Sequence, residues 1–330
     1  MQGGGAHGAF QWGVLDRILE DGRLDIRAVT AASAGAMNGA ALISGLENGG
    51  RDGAREALDL LWRETNQSGG RNVFGDSGVW SALTNPAWLK ETPFWRSMEA
   101  IALAASPYEF NPFNLNPLQR VLDASIDFEA VRSSSVRLFV SATAVRHGRA
   151  RVFRTPEITD QVLMASACLP HLFQAVTIEG EPYWDGGYLA NPALWPLFYD
   201  DTPDDILLLP LNPFERDDTP RAPGEIMDRL NEIAFNAPLA AELRAVAFVQ
   251  ELIEEGRLTQ AARGRYRRML LHAIPADDHL NDLTLGSKFD TEWTFLQALK
   301  ARGRAAADQW LDECLGSVGK RSSIDLKRFL

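Results

Sequence analysis

"VTAASAGAMNG" (residues 29–39) sets one hydroxyl, Ser33, among small side chains, between a short β-like run and a run of helical character. A serine needs small neighbours where the backbone turns sharply or where another molecule approaches closely. Ala31-Ala32-Ser33-Ala34-Gly35 follows the pattern Gly-x-Ser-x-Gly, with alanine in the first glycine place. In a strand-to-helix elbow the serine sits on a strained turn, and the residues two before and two after it must be small. A helix N-terminus beside the serine would also favour negative charge there. An ordinary serine helix cap gives the same local pattern, so the stretch alone leaves both readings open.

The surrounding sequence supplies the strand and the helices. Phe10, Val14, Leu15, Ile18 and Leu19 recur at helical spacing, and Asp21-Gly22 closes that run. "IRAVTAA" (26–32) reads as a short buried strand, and residues 34–46 and 55–64 as helices. Loop, helix, strand, helix, helix is the grammar of an α/β layer fold. "VRLFVSATAV" (136–145) and "RARVFR" (149–154) read as a strand pair turning at His147-Gly148, and "AVTIEGEPYW" (175–184) as a hairpin turning at Glu179-Gly180. "TDQVLMASACLP" (159–170) reads as a helix ending at Pro170. "DILLLPL" (205–211) and "YRRMLLHAI" (266–274) read as strands, and residues 222–256 and 290–315 as helices.

Residues 67–117 differ in character. Phe74, Trp80, Trp88, Phe94, Trp95, Tyr108, Phe110 and Phe113 fall among prolines and asparagines, with one helix expected near 94–105. The stretch reads as an insertion, either an irregular packed subdomain or a lid and apolar substrate wall. With no internal repeat and no low-complexity linker, the expectation is a single domain over 1–330, with the insertion at about 67–117 and a helical C-terminal extension at about 222–330.

Composition narrows the partners. The chain has 330 residues, 45% hydrophobic and 23% charged, ordinary for a globular protein. A net charge of −11 disfavours binding to nucleic-acid phosphates and docking to an anionic membrane by charge alone, although residues 263–268 are locally basic. Cys168 and Cys314, the two cysteines, make neither a zinc cluster nor a disulfide framework, and the expected compartment is a reducing cytoplasm. No run of 18 apolar residues is present, and "MQGGGAHGAF" (1–10) lacks the pattern of a signal peptide.

Two further stretches carry chemistry. Gly3-Gly4-Gly5-Ala6-His7-Gly8 fits Gly-x-Gly-x-x-Gly. A dinucleotide site needs an acidic residue at the end of the next strand, and here that strand leads into Ser33 instead. An oxidoreductase reading is correspondingly weak. A glycine loop entering a helix also exposes backbone N–H groups able to hold an oxyanion; a plain tight turn is the alternative. The histidines are His7, His147, His171, His272 and His279, and none sits in the context of a catalytic base. His272 reads as a core or edge residue, and His279, in "PADDHL", would be the best triad member if there were one. "YWDGGYLANPAL" (183–194) places Asp185 between aromatics and glycines. Desolvation there would raise its pKa and make it a better base, while an ordinary Asp-Gly turn explains the same residues.

Glycine loop, early serine elbow and late Asp-Gly-Gly occur together and in this order. "GGGAHG" (3–8), "ASAGAMNGA" (32–40) and "WDGG" (184–187) thereby resemble the patatin-like phospholipase family, and so does "ASACLPHLFQAV" (165–176). The similarity continues more faintly into "GKRSSIDL" (319–326). The resemblance implies a three-layer α/β/α fold with a mostly parallel central sheet, and a Ser–Asp dyad without histidine. Ser33 would be the nucleophile and Asp185 the general base, with Gly3, Gly4 and Gly5 lining the oxyanion hole. It implies an acyl-ester lipid as substrate and neither cofactor nor metal; the aromatics of residues 74–113 could shape an acyl pocket, make transient contact with a membrane surface, or be core. Two departures stand out. Ala31 replaces the usual glycine, and the glycine loop begins at residue 3, where family members have a strand immediately before it. The second departure carries the expectation that the chain begins upstream of Met1. Both also suit a catalytically weak or inactive lipid-binding or scaffold protein on the same fold.

Overall fold

The computed structural model describes residues 1–70, 106–199, 202–259, 266–275 and 277–326. In chain order, α1 (Gly8–Asp21), β1 (Ala28–Ala31) and α2 (Ala34–Gly70) come first. Then follow α3 (Pro107–Phe110), α4 (Leu118–Ser125), α5 (Phe128–Ser133), β2 (Arg137–Ala144) and β3 (Arg149–Arg154). After them come α6 (Asp160–Ser166), β4 (Val176–Ile178), β5 (Glu181–Asp185), α7 (Trp195–Tyr199) and β6 (Asp205–Leu208). The long α8 (Pro223–Glu254), β7 (Leu270–Ala273) and α9 (Trp293–Glu313) complete the order. Most of the aromatic insertion, including the helix expected near 94–105, lies outside the described residues.

Helices flank a central sheet, as the sequence implies, but the sheet is mixed rather than mostly parallel. In this five-stranded sheet β1–β2 pair in parallel, whereas β2–β3, β2–β5 and β4–β5 are antiparallel; β6 and β7 pair in parallel as a second, two-stranded sheet. For β2–β3 and β4–β5 the physical reason is the two short turns, at Gly148 and at Glu179-Gly180: connections this short can join only antiparallel neighbours. The helix read to Pro170 stops at Ser166, because Ala167 leaves the helical conformation and closes it.

Register on β2 places the key residues. β3 pairs with β2 along Phe139–Ala144, one whole edge. On the opposite edge lie two strands end to end, β1 against Arg137–Val140 and β5 against Ala142–Ala144. Ala31 is opposite Val140 and Asp185 is opposite Ala142. The C-terminal ends of β1 and β5 therefore point at each other across the width of one residue, Ser141. Whatever follows Ala31 must meet Asp185.

The N-terminal dipeptide joins the two sheets. The Met1 amino group donates to the Thr30 carbonyl at 2.8 Å, and the Gln2 N–H to the Leu209 carbonyl, just past β6, at 3.2 Å. Beneath them α1 is buried on nearly every side, Phe10, Trp12 and Val14 having no exposed surface. It crosses α9 at two glycines. A Cβ on Gly13 would lie 2.0 Å from the Lys300 carbonyl oxygen, and one on Gly303 would lie 2.0 Å from that of Phe10. The helix axes approach as closely as backbone allows, which brings the C-terminal part of the chain under the glycine loop. α2 is broken at Gly49-Gly50, where Gly50 has φ +62° and ψ −147°, a conformation essentially confined to glycine. The two helices read from the sequence are its two arms. Among the described residues, no helix is long and apolar enough to cross a membrane.

Candidate active site

Ser33 follows β1 and precedes α2 with φ +51°, a left-handed conformation that is costly for a residue with a Cβ. That is the strained elbow, not the extended backbone of an ordinary helix cap. Two contacts hold the strain. The Ser33 N–H donates to Ser166 Oγ at 2.8 Å, and Ser166 Oγ–H donates to the Ser141 carbonyl at 2.7 Å. Gly35 explains the second small position, since a Cβ there would lie 2.6 Å from the Gln2 carbonyl oxygen. Ala31, the departure at the first position, is fully buried and keeps its regular pairing with Val140.

Asp185 ends β5 and is buried. Its side chain accepts from the Gly187 N–H at 2.7 Å, and the Ser33 hydroxyl lies near enough to favour its charged form. The Thr143 hydroxyl donates to its backbone carbonyl at 2.8 Å. Burial pushes its pKa up from 3.8 to about 6; the Gly187 and Ser33 hydrogen bonds and the Lys288 charge oppose that rise. The two glycines after it have no room for side chains: a Cβ on Gly186 would meet the Ser141 carbonyl oxygen at 2.1 Å, and one on Gly187 the Phe235 ring at 2.4 Å.

The glycine loop lies over the elbow. A Cβ on Gly3 would sit 2.7 Å from Ser33 Cβ, and one on Gly5, at φ +58°, would sit 2.3 Å from the Lys288 carbonyl oxygen. Its three amides are not equivalent. The Gly3 N–H donates to Asn191 Oδ1 at 2.7 Å, whereas the Gly4 and Gly5 N–H groups have no hydrogen-bond acceptor among the described residues. Asn191 is itself fixed, its Nδ2 donating to the Phe235 carbonyl at 3.1 Å. Sequence reading assigned no role to Asn191, Ser166 or Lys288. The first two lie inside quoted stretches, but nothing local reveals their partners.

Asn191→Ala should cost about 1–3 kcal/mol of stability, because it strands the buried Gly3 N–H. A lowered denaturation midpoint with an unchanged denaturant slope would register this.

The histidines stand elsewhere. His272 Nε2 meets Asp205 Oδ1 at 2.9 Å and its Nδ1 meets Ser323 Oγ at 3.0 Å, on β7. It is buried there, within the core or edge role that its sequence suggests. His279 packs against Phe10, with ring centroids 5.6 Å apart. His7 Nε2 meets Ser287 Oγ at 2.8 Å, and burial pushes its pKa down to about 3, so it stays neutral. None of them is hydrogen-bonded to Ser33 or Asp185. Cys168 is buried, its thiol pKa raised to about 12 mainly by desolvation, and it is not a nucleophile. Among the described residues there is no cluster of metal-ligating side chains.

Fold and site together define an α/β protein built around a strand–serine–helix elbow that faces a buried carboxylate. Residues 1–198, more than half of the chain, match the Patatin-like phospholipase family, and the chain belongs to that family. No curated protein matches it. Among solved structures it is similar to VipD from Legionella pneumophila, at 14% identity and a TM-score of 0.39, over 94% of this chain and 66% of that one. The chain thus spans about 66% of the length of that relative.

Proposed function

We propose that the protein is a lipid acyl hydrolase that cleaves carboxylic esters through a Ser33 acyl-enzyme, with Asp185 as general base. One observation carries this reading. A serine held at φ +51° brings its hydroxyl beside a buried carboxylate whose pKa is about 6. A base poised near neutrality accepts a proton in the transition state and can return it.

In this scheme Asp185 takes the Ser33 proton as Oγ attacks the ester carbonyl. The oxyanion of the tetrahedral intermediate faces the uncommitted Gly4 and Gly5 N–H groups, while Gly3 keeps the loop in place through Asn191. Asp185 then protonates the departing alcohol. Water, deprotonated by the same carboxylate, attacks the acyl-enzyme, and Asp185 returns that proton to Ser33 Oγ as the acid leaves. The sequence reading placed all three glycine amides in the cradle; here the first is structural. Leu189, directly after the Asp185 turn and 40% exposed, offers apolar surface for a lipid chain beside the site.

The rival reading of an inactive lipid-binding scaffold draws on the glycine loop beginning at residue 3 and on Ala31. That residue leaves the elbow formed, so it gives no ground for inactivity.

The mechanism requires ionised Asp185. Hydrolysis of a short-chain p-nitrophenyl ester should therefore fall as pH drops through about 6, with kcat/KM declining about tenfold per pH unit below it. A rate level down to pH 4 would remove Asp185 from the base role.

A further inference from the structure

Lys288 lies outside the stretch that matches the family, 255 residues from Ser33 in sequence, yet its ammonium ends beneath the glycine loop. The residue as a whole is half-buried, but Nζ sits deep, donating to Asn212 Oδ1 at 2.7 Å and Asn231 Oδ1 at 2.8 Å. It also stands 5.5 Å from the centre of the Phe235 ring, which packs against Gly187 and Tyr188 of the Asp185 turn.

From Lys288 a buried polar chain leads to the loop. Asn212 Nδ2 donates to Gln2 Oε1 at 3.3 Å and approaches the Gly3 carbonyl at 3.5 Å. Gln2 Oε1 also accepts from the Leu211 and Asn212 N–H groups at 2.8 and 3.1 Å, and its Nε2 donates to Asn236 Oδ1 at 2.9 Å. The backbone of Lys288 itself presses on Gly5. Such a network holds a unique geometry only if every member stays satisfied.

The charge has a use as well. Acidic groups facing this ammonium are Asp185 in the site and Asp228 and Glu232 on α8, and His7 faces it as a neutral imidazole. Glu232 is already bound by Arg216 and Arg229, and Asp228 accepts from the Leu285 N–H. Among the described residues no cationic side chain is bonded to Asp185, and Lys288 acts on it through space. Burial lowers the lysine pKa to about 8, so it remains charged at neutral pH. A fixed positive charge beneath the amide cradle also favours the oxyanion.

We propose that Lys288 is a positioning residue of the Ser33–Asp185 site, its ammonium pinning the Gly3–Gly5 loop through Asn212 and compensating negative charge in the site. The proposal rests on the dyad reading above. Its test compares wild type, Lys288→Met and Asn212→Ala by pH–rate profiles on a p-nitrophenyl ester, fluorophosphonate labelling rates and thermal melts. Lys288→Met should lose at least about tenfold in kcat and in labelling rate with KM little changed. Its acid limb should move to higher pH, because a neighbouring cation no longer favours the carboxylate. Asn212→Ala keeps the charge and cuts the link; its kcat should fall and its acid limb stay in place.

A Lys288→Met protein that melts cooperatively and has the wild-type rate and acid limb overturns the proposal. If that variant does not fold, Asn212→Ala decides, and a kcat within about twofold of wild type overturns it. A wild type that neither hydrolyses esters nor labels at Ser33 overturns the dyad reading, and this proposal with it. An active wild type indifferent to both substitutions overturns this proposal alone.

Discussion

Ser33→Ala should lower kcat for acyl-ester hydrolysis by at least about 10³-fold, leaving only what binding and the amide cradle supply. The substitution removes the proposed nucleophile and nothing that holds the elbow. The Ser33 N–H still reaches Ser166 Oγ, and β1 still pairs with β2 through Ala31. Stability should therefore change by less than about 1 kcal/mol. Ser33→Gly should be equally inactive and slightly more stable than the alanine variant, because glycine occupies φ +51° without steric cost. Steady-state kinetics and melts on the pair separate loss of chemistry from loss of structure. Residual turnover above about a tenth of wild type in either variant would place the reaction on another residue.

Asp185→Asn carries the second large effect, and it splits activity from stability. Hydrolysis should drop by about 10³-fold or more, because an amide accepts the Ser33 hydrogen bond but cannot take its proton. Stability should rise. The carboxylate has a folded pKa near 6 against 3.8 unperturbed, so ionising it opposes folding once the pH exceeds its unfolded value. That opposition is absent below about pH 4, grows between 4 and 6, and is full above 6. By linkage it amounts to about 3 kcal/mol at neutral pH, an upper figure for what asparagine recovers. Asparagine can still accept from the Gly187 N–H, so the turn survives. An Asp185→Asn protein that retains activity would mean that the residue is only a turn former, the reading its Asp-Gly-Gly sequence also permits. One that is inactive and markedly less stable would contradict the pKa argument.

How far the sequence reveals this site depends on the range of each interaction. Ser33 is legible because the elbow constrains its immediate neighbours: Gly35 must be small where the Gln2 backbone passes, and Ala31 must fit within a buried strand. Asp185 is legible because Gly186 and Gly187 lack room for a Cβ. Hairpin turns are legible from Gly148 and Gly180, and the β2–β3 and β4–β5 pairings follow from them, although the family likeness pointed to a mostly parallel sheet. The grip of Asn191 on Gly3, of Ser166 on Ser33 and of Lys288 on Asn212 is invisible locally. Each joins residues 76 to 188 positions apart and leaves no periodicity in either partner. The same reason explains why three glycines read as three equivalent donors. Only the fold brings Asn191 to the first of them.

The central claim is that Ser33 is activated by Asp185. The most direct test is intact-protein mass and peptide mapping after brief exposure to a fluorophosphonate, on wild type, Ser33→Ala and Asp185→Asn together. The account predicts a single adduct on the peptide containing Ser33 in wild type, none in Ser33→Ala, and strongly slowed labelling in Asp185→Asn. An adduct on any other residue, undiminished labelling of Ser33→Ala, or wild-type labelling of Asp185→Asn would contradict it.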